Sequence, residues 1–140
     1  MRDLMNSIHT AVALAPVVAT DNTAQVSAII DTRGYDSLTF AILAGTLADA
    51  DATFAVTMDH GDASNLSDAA SVPTAEILGT LALAGLTFAD DAETRKVGYL
   101  GAKRYVRLTI TPTGNTGNAP LAVLAILGHP AIRPTANPPQ

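Results

Sequence analysis

The chain has no cysteine and no tryptophan, few aromatic residues (4%) and few charges (15%). Without cysteine there are no disulfides, thiolate nucleophiles or cysteine-based zinc sites, and the composition fits synthesis in a reducing cytoplasm. The shortage of aromatic rings removes the usual platforms for stacking bases or sugars. Lys and Arg number 8 against 13 Asp and Glu, a net charge of −5, and the short basic pairs Arg95-Lys96 and Lys103-Arg104 lie close to acids. A nucleic-acid partner needs clustered cations to displace counterions, so none is expected. The longest apolar run, Leu121-Ala-Val-Leu-Ala-Ile-Leu127, falls far short of the about 18 residues of a membrane span, so no membrane partner is expected either. The opening segment has the look of a signal peptide, but Asp3, His9 and Pro16 interrupt it, and no cleaved leader is expected.

What is present is period-two alternation. Lys103-Arg-Tyr-Val-Arg-Leu-Thr-Ile-Thr111 sets Tyr105, Arg107 and Thr109 against Val106, Leu108 and Ile110, the pattern of a half-buried strand. Leu38, Phe40 and Ile42 alternate in the same way, as do Phe54, Val56 and Met58. Val26–Ile30 and Lys96–Leu100 are further strands, and Gly101-Ala102 reads as a tight turn that makes a hairpin with the strand following it. Residues 120–127 are apolar on both faces, which predicts a strand buried from both sides. Residues 74–90, broken by Gly79 and Gly85, predict short strands or irregular structure. Leu4, Ile8, Ala11, Val12 and Ala15 recur at helical spacing up to Pro16, predicting a short amphipathic helix or an arm.

The chain is therefore expected to be all-β: a sandwich or barrel of about seven short, mostly antiparallel strands. Residues 1–20 form an arm or short helix, 21–129 the body, and 130–140 an extended tail whose prolines cannot donate to a ladder. At 140 residues this is one domain.

No constellation carries catalysis. His9, His60 and His129 share no ligand spacing, and there is no Gly-x-Ser-x-Gly elbow. The carboxylate pairs Asp90/Asp91 and Asp49/Asp51 sit in loop-like segments. Asp59, Asp62, Asn65 and Asp68 supply oxygens of the kind Ca²⁺ prefers, but the order of an EF-hand loop is missing. They read as a soluble exposed loop, with a cation site as the alternative. Arg95, Lys96, Lys103, Arg104 and Arg107 gather around one hairpin, either pairing with nearby acids or forming a positive face for a negative neighbour.

An ordered set of short signatures covers nearly the whole chain. It runs from Met1-Arg-Asp-Leu-Met-Asn-Ser-Ile through Asp31-Thr-Arg-Gly-Tyr-Asp-Ser-Leu-Thr-Phe40 and Asp59-His-Gly-Asp-Ala-Ser-Asn-Leu-Ser-Asp68. It continues through Val97-Gly-Tyr-Leu-Gly-Ala-Lys-Arg-Tyr-Val-Arg-Leu108 to Leu124-Ala-Ile-Leu-Gly-His-Pro130. In this order the chain resembles small structural proteins of tailed bacteriophages encoded near the major capsid protein. The Ala-rich insert at 74–89 departs from that pattern.

The resemblance implies a capsid decoration (cement) protein on the outer surface of the virion. It would be made in the host cytoplasm, bridge subunits of the major capsid protein, and be trimeric or otherwise symmetric with copies of itself. It implies no enzyme activity and no cofactor. Leu4, Met5 and Ile8 of the arm, Ile132 and Arg133 of the tail, and Arg33, Arg104 and Arg107 of the body would make the capsid or subunit contacts. The alternatives are a neck, head–tail connector or tail-tube subunit, and a Ca²⁺-dependent carbohydrate-binding module using residues 59–68.

Overall fold

The computed structural model describes residues 2–139, so Met1 of the arm and Gln140 of the tail lie outside the described residues. Eleven strands occur among them: β1 (Ile8–Ala19), β2 (Gln25–Val26), β3 (Ile30–Asp31), β4 (Tyr35–Ala44), β5 (Thr53–Gly61), β6 (Ala70–Ser71), β7 (Ile77–Leu78), β8 (Leu86–Thr87), β9 (Thr94–Tyr99), β10 (Tyr105–Thr113) and β11 (Ala119–Pro130). A single turn of helix, α1 (Leu81–Ala84), precedes β8, with the Thr80 hydroxyl accepting from the Leu83 amide.

The strands form two antiparallel sheets. The first has the order β1-β11-β4-β9-β7 and the second β2-β10-β5-β6, with β3 also on β10 and β8 also on β5. If β2 with β3, and β6 with β8, count as interrupted single strands, this is the strand order of a jelly roll. The expected sandwich is what forms. Its strand count exceeds seven because β2, β3, β6, β7 and β8 are two-residue pieces.

The core lies where alternating rows meet. Leu38, Phe40 and Ile42 of β4 and Leu121, Val123, Ala125 and Leu127 of β11 face Phe54, Val56 and Met58 of β5 and Val106, Leu108 and Ile110 of β10. The interruption between β2 and β3 has a local cause. Ser27 is buried, its hydroxyl donates to Ala28 O (2.8 Å) and accepts from Leu108 N (3.0 Å), so a side chain replaces a ladder bond.

Several expectations are corrected. Residues 8–19, expected as a helix or arm, form edge strand β1, preceded by a 3₁₀ turn at Met5–Ser7. The register of β1 on β11 shifts between Val12 and Leu14 and again between Leu14 and Val17, and Pro16 sits in the second shift, at a sheet edge where proline is tolerated. Residues 99–105 make no hairpin: β9 belongs to the first sheet and β10 to the second. The five cations are thereby divided, with Arg95 and Lys96 in one sheet and Arg104 and Arg107 at or in the other. β11 is buried on one face only. Leu121, Val123, Ala125 and Leu127 are in the core, while Pro120, Ala122, Leu124 and Ile126 are half-exposed outside it.

Phe40 is fully buried at the centre of the first sheet. Phe40→Ala should destabilise the protein by about 3–5 kcal/mol, read as a lower urea midpoint. A loss below about 1 kcal/mol would contradict this placement of the core.

Candidate interaction surface

The two sheets present very different outer faces. Opposed residues of an antiparallel pair share a face, so the register gives each surface directly. On the second sheet the outward pairs of β10 and β5 are Tyr105–Gly61, Arg107–Asp59, Thr109–Thr57, Thr111–Ala55 and Thr113–Thr53, with Val26 of β2 beside Thr109. This is a threonine ladder with one ion pair (Arg107 to Asp59, 3.4 Å), suited to water.

On the first sheet the outward rows are Thr10, Val12 and Val18 of β1, opposite Ile126, Leu124 and Pro120 of β11. These continue into Thr39, Ala41 and Leu43 of β4 and on to Gly98, Lys96 and Thr94 of β9. Leu78 of β7 closes the row against Gly98, where a Cβ would come within 2.9 Å of the Leu78 Cβ. Val12 is 62% exposed, Val18 51%, Leu43 45% and Leu78 54%. Lys96 is the only charged side chain in these rows. This face is richer in exposed aliphatic side chains than that of the second sheet.

Both chain ends meet at one end of this sheet. The Thr135 hydroxyl donates to Ile8 O (2.6 Å) and the Thr135 amide to Asn6 O (3.2 Å), while the Ala131 amide donates to Gly34 O (2.9 Å). Leu4, Ser7, Ile8, Ile126, His129 and Arg133 line the resulting cleft, which extends over the end of the outer face. His129 adopts φ 51° as the chain leaves β11, and its Nδ1 lies 3.1 Å from the Ser37 hydroxyl. Leu4 (67%), Met5 (62%) and Ile132 (82%) project into solvent here.

Of the residues singled out in the sequence, the fold thus brings Leu4, Met5, Ile8, Ile132 and Arg133 together. Arg33 sits on the loop whose Gly34 carbonyl holds the tail. Arg104 grips Asp31 through two hydrogen bonds (2.8 and 2.7 Å), and Arg107 faces Asp59 on the second sheet. These two guanidinium groups are engaged within the chain.

The acids have local duties. Asp68 accepts from the Asp62 and Ala63 amides, Asn65 from the Ser67 amide, and Asp62 pairs with Lys103. Asp49 ties its own loop to Thr116, and Asp90 holds Thr87 and Arg95. Among the described residues no three His, Cys, Asp or Glu side chains gather in a way that would hold a metal ion. Sequence reasoning missed the burial of three polar side chains, Ser27 described above, Asn115 and His60. Asn115 donates to Ala19 O and Asp21 O (both 3.3 Å), and His60 Nδ1 lies 2.9 Å from the Tyr99 hydroxyl and 3.5 Å from Glu76. Both lock loops to the body, and no helix among the described residues is long and apolar enough to cross a membrane.

No known protein family matches this chain, and no curated protein sequence does. Solved structures share its fold. The SPBc2 prophage-derived protein YomS is 9% identical, with 87% of this chain and 93% of that one covered and a TM-score of 0.51. A structure of infectious bursal disease virus, Gx strain, is 12% identical, with a TM-score of 0.53 over 90% of this chain, which spans about a third (34%) of that chain. The xylanase 10B CBM22-1-GH10 modules of Clostridium thermocellum, complexed with xylohexaose, reach only 0.46 at 10% identity, covering 95% of this chain and 28% of that one. At these identities the shared feature is the β-sandwich, a scaffold that hosts many functions.

Hydrogen bonding holds the carboxyls of Asp31 (chiefly from Arg104), Asp49 (Thr116), Asp68 (the Asp62 amide) and Asp90 (the Thr87 amide) below the ordinary aspartate value of 3.8. A carboxyl whose pKa is lower in the folded than in the unfolded chain stabilises the fold above its unfolded value, and that contribution is lost as pH falls through the folded value. Stability should therefore be level from neutral pH to about pH 5 and decline below about pH 4. Asp49→Asn with Asp68→Asn should flatten the acid limb of a urea-midpoint profile. Stability that rises on acidification would contradict the assignment.

Proposed function

We propose that this chain is a non-enzymatic structural protein of a bacteriophage virion, of the capsid decoration type. In this reading it bridges major capsid protein subunits on the outer shell. The observation that carries it is the convergence of both termini at one end of the first sheet, where Leu4, Met5 and Ile132 are presented to solvent beside a cleft floored by Ile126. Side chains of that size are held out of water when a partner covers them. Further support comes from a fold in common with a prophage-derived protein and with a virus structure, in keeping with the resemblance of the ordered signatures to phage head proteins. A rigid β-body with protruding apolar ends suits cementing, because modest contacts repeated over a symmetric shell add through multivalency.

The gripping elements are narrower than the sequence implied. Residues 8–19 are built into the body as β1, which leaves Leu4 and Met5 at one terminus and Ile132 and Arg133 at the other. Carbohydrate binding through residues 59–68 has less support, since Asp59, Asp62 and Asp68 are each engaged by neighbouring groups within the chain.

The test is co-sedimentation of the purified protein with phage heads that lack it. Leu4→Asp combined with Ile132→Asp should reduce occupancy at least tenfold while the melting temperature stays close to that of the parent, because both side chains are exposed. Full occupancy by the double variant would overturn the role of the termini. A count of about a dozen copies per particle would instead indicate a ring-forming neck or connector subunit.

A further inference from the structure

We infer that the outer face of the first sheet is a self-association surface, on which a second copy of this chain packs face to face across a two-fold axis. The inference concerns the purified chain alone and stands apart from the phage reading.

Three observations select this occupant. The first is charge. Two chains of net charge −5 repel one another, and the 13 acids lie outside the paired outward rows of the first sheet. This is the face on which two copies approach without opposing carboxylates. A strongly charged partner would find only Lys96 to pair with, whereas an equally uncharged apolar face finds a match in Val12, Leu43, Leu124 and Ile126. Lys96 lies beside Ala41 in the register, and its stem can lie along apolar surface while the ammonium reaches water.

The second is area. Strands about 4.8 Å apart and about 30 Å long make this face of the order of 600 Å². That footprint, which includes Thr10, Thr39, Thr94 and Lys96 beside the aliphatic side chains, is somewhat below the about 800 Å² each partner contributes to a standard interface.

The third is shape. The face is a pleated sheet surface whose side chains interdigitate with another such surface at about 10 Å separation. An isologous pairing of this kind closes at two copies.

Sedimentation velocity on the purified full chain over a hundredfold concentration range tests the inference without any shells. The parent should show a concentration-dependent dimer. Val12→Lys with Leu43→Lys should weaken it by about a hundredfold, since four buried ammonium groups would face one another. Thr57→Lys, on the outer face of the second sheet, should leave it unchanged. Val12→Thr with Leu43→Thr keeps strand-forming side chains and repeats the test with less risk to the fold. A parent that stays monomeric throughout overturns the inference, as does a dimer indifferent to both double variants. A monomeric parent whose double variants lose binding to heads also overturns it and gives the face to the shell.

Discussion

Everything in this molecule depends on β11 carrying two apolar rows. One row, Leu121, Val123, Ala125 and Leu127, seals the core between the sheets. The other, Pro120, Ala122, Leu124 and Ile126, leaves the first sheet with an outer surface as greasy as an interior one, only half covered. β11 is held between β1 and β4, so both neighbours had to supply matching outward residues, and Val12, Ala41 and Leu43 do. The hydrophobic effect acts on the inner row in folding, and the outer row remains partly exposed.

The second sheet shows the contrast. Its outward rows are mainly threonines with one Arg–Asp contact, interrupted by Tyr105 and Val26. Arg104 and Arg107, which in sequence look like a positive face, are matched by Asp31 and Asp59 across the strands. Exposed pairs of this kind contribute little stability, but they leave few free cations on that side. Charge is thus concentrated on the second sheet and scarce on the outward rows of the first.

Much of this was legible in the chain. The alternation of Leu38, Phe40 and Ile42 and of Val106, Leu108 and Ile110 marked strands and their inner faces correctly, because regular pleats translate directly into period-two burial. β1 was not legible. Two register shifts and Pro16 break its alternation, and what remains, Leu4, Ile8, Ala11 and Ala15, imitates helical spacing. The apolar character of β11 was visible, but burial on both sides does not follow from sequence alone. Full burial of its second row requires a covering layer, and none of the described residues provides one. The separation of β9 from β10 was equally hidden, since a short Gly-Ala turn serves a hairpin and a crossing between sheets alike. Of the expected contact residues, those at the termini converge because β1 and β11 are neighbours, a long-range pairing that no local pattern records.

On the proposed function, this is a pleated body whose first sheet and paired termini are covered by other protein chains. Cryo-electron microscopy of the particle that carries it tests this most directly. Density from neighbouring chains is expected over Val12, Leu43 and Leu124 and around Leu4 and Ile132, with the threonine face of the second sheet toward solvent. A subunit whose first sheet and termini lie bare, with the threonine face buried instead, would contradict it.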